Sequence, residues 1–108
     1  MRDDLQRCAD MLQAIENINQ KCFGLNEENS TDLLNVWILH NLQIIGEAAY
    51  KTSQTFKDIY PQIPWSKMTG TRHVLVHDYF QTNIHLLWQT VEEDLPSLKH
   101  HLELILKP

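Results

Sequence analysis

The chain has 108 residues and a formal net charge of −5, and glycine and proline are scarce. This length predicts a single domain over residues 1–108, and the composition indicates a helix-rich globule. The acidic balance argues against a general nucleic-acid binder, so any RNA would have to meet a local basic site. No segment approaches the roughly 20 apolar residues of a membrane span, and the charged, amphipathic N-terminus is unlike a signal peptide. We therefore expect a soluble, cytoplasmic protein with no membrane partner.

A first helix is predicted from about Asp3 to Lys21, with Gly24 marking its end. Side chains at three- and four-residue intervals predict one buried stripe, made of Leu5, Cys8, Ala9, Leu12, Ile15, Asn19 and Cys22. Cys8 and Cys22 are the only cysteines. On one helix they would lie about 21 Å apart, too far for a mutual disulfide, so both are expected to be reduced core residues.

A second helix is predicted from about Thr31 to Gln54, with Ser30 or Thr31 as its N-cap. Its apolar residues cover more than one face, which is typical of a helix that is central in a bundle or shared with a second subunit, and we expect both. Gly46 in its middle predicts a close helix crossing. Glu47 follows this glycine, and a carboxylate on a largely buried helix needs a partner of opposite charge, for which Arg72 is the obvious candidate. That carboxylate could position a catalytic arginine, or it could form a structural pair or lie at a solvated edge.

The second half of the chain predicts three more helices separated by proline signals. Pro61 and Pro64 predict a bend over residues 56–63, after which a helix begins at Pro64. We expect this helix to be anchored by Trp65, to carry Met68 inward and to end near residues 78–80. A further helix, capped by Thr82 or Asn83, carries the stripe Ile84, Leu87, Trp88, Val91 and Leu95. Pro96 opens the last helix, whose apolar residues are Leu98, Leu102, Ile105 and Leu106. The pattern predicts an all-α bundle of about five helices with no strand.

Arg72, His77 and Tyr79 form an Arg-x4-His-x-Tyr motif near the end of the third predicted helix. Arginine offers a permanently charged fork that matches phosphate oxygens, and histidine exchanges protons near neutral pH. Tyrosine can donate a hydrogen bond or accept a modification. His77 lies about 140° around an ideal helix from Arg72, so one straight helix does not force the two side chains together. The spacing therefore predicts phosphate-ester chemistry in a composite site, completed by a loosened helix end or by a second copy of the chain.

Two alternatives concern the histidines around this motif. His73 and His77 are spaced as a helical metal pair, with Asp78 or His85 as a third ligand, but zinc sites normally present more ligands at known spacings. We therefore predict no metal and no cofactor, with His73, Asp78 and Glu47 in supporting roles. His100 and His101 are expected on a solvated helix surface, with His101 partly buried.

The segments around the motif resemble a known family. Ile44-Ile45-Gly46-Glu47-Ala48, Pro61-Gln62-Ile63-Pro64-Trp65, Gly70-x-Arg72, Val76-His77-Asp78-Tyr79, Trp88 and Asp94-Leu95-Pro96 occur in this order. Together they resemble the HepT-like branch of the HEPN superfamily, the small helical ribonuclease toxins encoded beside minimal nucleotidyltransferase (MNT) antitoxins. The resemblance covers nearly the whole chain. It departs from the family at His40, where an arginine is common, and at Thr71 and His73, which often are Met and Asn.

The resemblance implies a HEPN-type bundle that forms a homodimer, with two Arg-x4-His-x-Tyr motifs facing each other in one cleft. It implies a metal-independent endoribonuclease in which Arg72, His77 and Tyr79 are catalytic, and tRNA is the family's suggested substrate. It also implies a toxin neutralised by an MNT antitoxin, which is associated with AMPylation of the motif's tyrosine, here Tyr79. A bulky anionic group at that position would fill the cleft and cancel the field of Arg72.

Two other functions are open on the sequence. HEPN-like bundles also occur as non-catalytic modules that bind substrate or nucleotide for a nucleotidyltransferase, and a purely structural helical dimer is conceivable. The intact triplet favours the enzyme, because a binding module has no need of a histidine spaced in this way between an arginine and a tyrosine.

Overall fold

The computed structural model describes residues 3–70 and 84–107, and these residues are mostly helical with no strand. This confirms the all-α prediction. The helices are α1 (Asp4–Cys22), α2 (Asp32–Lys51), α3 (Gln54–Ile59), α4 (residues 65–70), α5 (Ile84–Gln89) and α6 (Leu95–Leu106), with a π-helix (Thr90–Asp94) between the last two. No helix among the described residues is long and apolar enough to cross a lipid bilayer.

The first two helices begin at side-chain caps that can be recognised in the sequence. Asp3 accepts a hydrogen bond from the backbone of Gln6, and the Gln6 side chain accepts one from the backbone of Asp3, both at 2.8 Å. The Thr31 hydroxyl accepts from the backbone of Leu34 at 3.1 Å, so Thr31 rather than Ser30 is the cap. Gly24 has a φ of 74°, which glycine adopts without strain, and it follows the end of α1 as predicted.

The core-facing stripe of α1 differs from the predicted one. Cys8, Met11, Ile15 and Ile18 are fully buried and Cys22 nearly so, which is an alternating three- and four-residue spacing. Leu5 is 51 % exposed, and Ala9 and Asn19 are also exposed, so their assignment to the stripe was wrong. The difference follows from the spacing of the buried residues. Continued by four residues from Cys8 towards the N-terminus, the observed stripe reaches Asp4, so Leu5 lies beside the buried face. Both cysteines are free and buried, which confirms their prediction as reduced core residues.

The segment between α2 and α4 contains a helix where a bend was predicted. α2 ends at Lys51 instead of Gln54, and the short helix α3 occupies part of the expected bend over residues 56–63. Ser53 explains the interruption, because its hydroxyl accepts from the backbone of Phe56 as the N-cap of α3 while Asp4 accepts from both its backbone and its hydroxyl. The turn at Pro61 and Pro64 is correspondingly shorter than predicted.

The last two predicted helices are one continuous helical run that is widened in its middle. The backbone stays in the right-handed helical region at Gln89, Asp94 and Leu95, and the Leu95 N–H bonds to the carbonyl of Thr90, five residues earlier. Pro96 accounts for this widening, since it has no N–H for the carbonyl of Glu92 and its ring would collide with that oxygen in a regular α-helix. Pro96 lies in the first turn of α6, as predicted.

The core lies between α1, α2 and α6, with α5 packed onto α2. Its buried apolar side chains include Met11, Ile15, Ile18, Ile38, Leu42, Ile45, Ile63, Trp65, Met68, Leu87, Trp88, Leu95, Leu98 and Leu102. α2 also leaves Leu33 and Val36 exposed and Trp37 36 % exposed, which agrees with the prediction that its apolar residues cover more than one face.

Candidate functional site

The predicted catalytic triplet Arg72, His77 and Tyr79 lies outside the described residues, as do the supporting residues His73 and Asp78. The predicted helix end near residues 78–80 and the caps Thr82 and Asn83 also fall there. The structure describes the two segments that flank this stretch. These are α4, which leads into it, and α5 with the π-helix, which follow it.

The lead-in helix α4 is anchored by aromatic and apolar side chains. Trp65 and Met68 are buried on α4, and Ile63 is buried just before it. The indole Nε1 of Trp65 donates to the carbonyl of Tyr60 at 3.0 Å, and the backbone of Met68 donates to the carbonyl of Pro64 at 3.0 Å. These contacts confirm Trp65 as the predicted anchor and fix the direction of the helix that runs to Gly70.

The lead-out helix α5 is fixed to α2 by a buried polar contact. Trp88 is 2 % exposed, and its Nε1 donates to the Oδ1 of Asn35, which is 3 % exposed, at 2.9 Å. A buried indole N–H without a partner is costly, so this bond selects one register of α5 against α2. Leu87, beside Trp88, is fully buried.

An ion pair joins the two flanks. Lys67 on α4 places its Nζ 2.8 Å from the Oδ1 of Asp94, the last residue of the π-helix. The hydrogen bond to Asp94 raises the pKa of Lys67, so this lysine is charged at neutral pH. The segment that carries the Arg-x4-His-x-Tyr motif therefore starts and ends on helices held by Trp65, Trp88 and the Lys67–Asp94 pair.

Glu47 lies on α2 with its side chain 42 % exposed, at a solvated edge of that helix. Its Oε1 accepts from the Nζ of Lys51, one turn later, at 2.9 Å. The predicted partner Arg72 is outside the described residues, so the pairing of Glu47 with the motif stays a prediction.

The histidines weighed as metal ligands or surface residues are partly described. The Nδ1 of His85 lies 3.0 Å from the Oε1 of Glu27 on an exposed part of the surface. Within residues 3–70 and 84–107 no three His, Cys, Asp or Glu side chains converge as a metal site would require. His100 is exposed and His101 is half-buried, as predicted.

A groove of about 800 Å³ opens beside α4, and the sequence pattern did not reveal it. It is bounded by the C-terminal end of α2 at Tyr50, by α3 at Lys57, and by α4 at Lys67 and Gly70. Gly70 stands two residues before Arg72 in the sequence. No sequence period could have found it, because its walls come from three helices joined by the bend at Pro61.

A second groove of about 690 Å³ lies against the exposed side of α2. It is lined by Leu33, Val36 and Trp37, and His40 stands at its edge. His40 is the position at which the chain departs from the arginine common in the resembling family, and it is exposed.

Comparison with known proteins adds independent findings. Residues 11–105 match the model of the family described as Ribonuclease HepT-like. The chain is 36 % identical over 108 residues to a protein of Thermococcus cleftensis named probable ribonuclease HepT, covering 98 % of this chain and 96 % of that protein. It is 31 % identical over 103 residues to a Methanocaldococcus jannaschii protein named as a candidate RNase, covering 95 % and 90 % of the two chains. No solved structure gives a significant match to the chain.

Proposed function

Since the chain belongs to the HepT-like family of ribonucleases and is an endoribonuclease, we propose that it cleaves RNA without a metal ion by means of Arg72, His77 and Tyr79. The observation that carries this proposal is the family match over residues 11–105, which spans an intact Arg-x4-His-x-Tyr motif. The buried anchors Trp65 and Trp88, on the helices flanking the motif, support it, because catalytic groups need a rigid scaffold.

The chemistry of the triplet fits an internal transesterification. The ribose 2′-hydroxyl attacks the adjacent phosphorus, the bond to the 5′-oxygen of the next nucleotide breaks, and a 2′,3′-cyclic phosphate remains. His77 takes the proton of the attacking hydroxyl or supplies one to the leaving oxygen. Arg72 stabilises the negative charge that builds on the phosphate oxygens, and Tyr79 positions the phosphate or the histidine.

The test is cleavage of total tRNA by the purified chain in EDTA, compared with His77→Ala. We expect fragments ending in 2′,3′-cyclic phosphate from the parent and a loss of at least about a hundredfold in rate for the variant, the usual contribution of a general acid or base. Equal cleavage by both proteins would refute the assignment of His77. Silence from both would favour either a non-catalytic subunit that binds substrate or nucleotide for a nucleotidyltransferase, or a chain already modified on Tyr79. An intact mass spectrum of the same sample would separate these two outcomes.

We further propose that this ribonuclease is the toxin of a toxin–antitoxin pair, neutralised by an MNT nucleotidyltransferase through AMPylation of Tyr79. The resemblance supports this proposal, and so does electrostatics, because an AMP group brings a negative charge to a site whose cation is Arg72. Incubation with ATP and an MNT partner should add the mass of AMP to the parent and nothing to Tyr79→Phe. An unchanged adduct on that variant would place the modification on another residue.

A further inference from the structure

An acidic ribonuclease must hold a polyanion at a local cluster of cations. The chain has a net charge of −5, so long-range attraction to RNA is absent and contacts near the cleavage site have to supply the affinity. Two lysines from different helices, Lys57 of α3 and Lys67 of α4, line the single groove beside α4. That groove also includes Gly70, which immediately precedes the stretch that carries the motif.

The two lysines of this groove can still bind a phosphate beside the contacts that they already make. Among the described residues Lys57 forms no ion pair, and its charge makes only the smallest of the contributions that lower the pKa of Asp4, so its ammonium can still contact a phosphate. The Lys67 ammonium has three N–H donors, and its contact with Asp94 at 2.8 Å uses one of them. The other donors can contact a phosphate. Asp58, an acidic residue on the wall, accepts a hydrogen bond from the Nε2 of Gln54 at 2.9 Å, so part of its acceptor capacity is already used within α3.

The remaining walls suit a single nucleic-acid strand. Ser66 and Thr69 of α4 bring hydroxyl groups that can donate to phosphate oxygens, and Tyr50 at the end of α2 is 63 % exposed. An exposed phenol ring offers a flat face on which a base can stack, independently of its sequence. The groove thus combines cations, hydroxyl donors and one aromatic face.

The other grooves are less suited to RNA. One is lined by Glu27, Glu28 and Glu92, whose carboxylates would repel phosphate. The groove on the exposed side of α2 is mainly apolar, with Lys21 as its lysine. Of these three, the groove beside α4 alone brings together two lysines and the approach to the motif.

We propose that the groove beside α4 binds the RNA strand that flanks the scissile phosphate, with Lys57 and Lys67 contacting backbone phosphates and Tyr50 stacking on a base. This inference rests on the proposed ribonuclease function and deepens it. It assigns substrate binding to residues outside the Arg-x4-His-x-Tyr motif.

Binding is tested separately from cleavage with a fluorescein-labelled, fully 2′-O-methylated RNA oligonucleotide, which lacks the attacking hydroxyl. Fluorescence anisotropy would compare the parent with Lys57→Gln, Lys67→Gln and the control Lys99→Gln. Lys99 lies on α6 and pairs with Glu103, so its variant makes the same change of charge away from the groove. We expect about fivefold weaker binding for each groove variant, and a salt dependence of log K that is shallower by about 0.7 per lost phosphate contact.

The variant Asp94→Asn separates a phosphate contact of Lys67 from a purely structural one. If Lys67 serves only to hold Asp94, Asp94→Asn weakens RNA binding as much as Lys67→Gln does, and the role proposed for Lys67 is overturned. If Lys67 binds phosphate, the Asp94→Asn protein binds RNA at least as tightly as the parent, because a competing carboxylate is gone. Parent-like RNA affinity in both lysine variants would overturn the whole proposal and leave the groove to another ligand, such as an acidic surface of a protein partner.

The cleavage assay then separates RNA binding in the groove from ribonuclease chemistry at the motif. In a cleaving parent, Lys57→Gln should raise KM about fivefold and leave kcat unchanged, as expected for a contact made equally in the ground and transition states. If the parent binds the methylated strand through both lysines but cleaves no RNA, the binding role of the groove is supported and the proposed ribonuclease chemistry is refuted. If Lys57→Gln instead lowered kcat about fivefold and left KM unchanged, Lys57 would belong to the catalytic machinery and a binding role would be contradicted.

Discussion

At the scale of single residues, burial controls the chemistry of the two cysteines. Cys8 is fully buried, and burial together with the nearby Asp4 carboxylate raises the pKa of its thiol to about 11. Burial raises the pKa of Cys22 as well. A thiol with so high a pKa is protonated at neutral pH and is a poor nucleophile.

We therefore predict that a thiol reagent added to the native protein at pH 8 modifies Cys8 only at the rate at which the protein opens. The measurement is release of thionitrobenzoate with and without urea, and a Cys8→Ala variant assigns the signal. Rapid modification of both thiols in the folded protein would show that α1 does not bury them as described.

Asp4 makes a contact whose strength depends on pH. Its two carboxylate oxygens accept from the backbone and the hydroxyl of Ser53 at 2.9 and 2.7 Å, and these bonds lower its pKa below the ordinary value of 3.8. A depressed pKa in the folded state means that the stabilisation is fully present above pH 3.8 and is lost as the pH falls through the lower, folded-state pKa.

Asp4→Asn should accordingly reduce the urea midpoint at neutral pH, and the difference from the parent should shrink at pH values below 3.8. Glu16→Gln, on the same helix, is the control for loss of one negative charge. A deficit for Asp4→Asn that stays constant down to the lowest pH would show that the contact with Ser53 does not involve the ionised carboxylate.

At the scale of helices, the bond between Trp88 and Asn35 determines how the lead-out helix sits. Both groups are buried, so Trp88→Phe leaves the Asn35 amide oxygen without its donor, and we expect a loss of about 1–3 kcal/mol in the free energy of unfolding.

Urea denaturation of Trp88→Phe, Asn35→Leu and the double variant measures the coupling. If the bond matters, the double variant loses less than the sum of the single losses. Strict additivity would indicate that the two side chains contribute only by packing.

The helices also show what the sequence can and cannot predict. The cap at Thr31, one of the two predicted candidates, the stop at Gly24 and the anchor Trp65 are local signals, and each is found where it was predicted. The exposure of Leu5 and the helix α3 depend on tertiary contacts, since Asp4 reaches Ser53 across 49 positions of sequence. The groove beside α4 has no local signal either. The motif itself could be recognised only as a spacing of residue types, and its geometry lies outside the described residues.

At the scale of the whole molecule, the remaining question is whether one chain contains a complete active site. Arg72 and His77 are five residues apart and lie about 140° from each other around an ideal helix. α2 keeps Leu33, Val36 and Trp37 at the surface, which is the kind of apolar face that a second subunit can cover. We propose a homodimer with two-fold symmetry in which Arg72 of one chain acts with His77 of the other.

This proposal predicts that two inactive variants restore each other. Arg72→Ala and His77→Ala, unfolded together and refolded as an equal mixture, should regain about a quarter of the parent ribonuclease activity. Half of the dimers would be mixed, and each mixed dimer would have one intact pair of the two. Each variant refolded alone is the control, and native mass spectrometry of differently tagged chains would verify that mixed dimers form. Mixed dimers without activity would mean that each chain supplies its own complete triplet, and a monomer at all concentrations would contradict the shared site altogether.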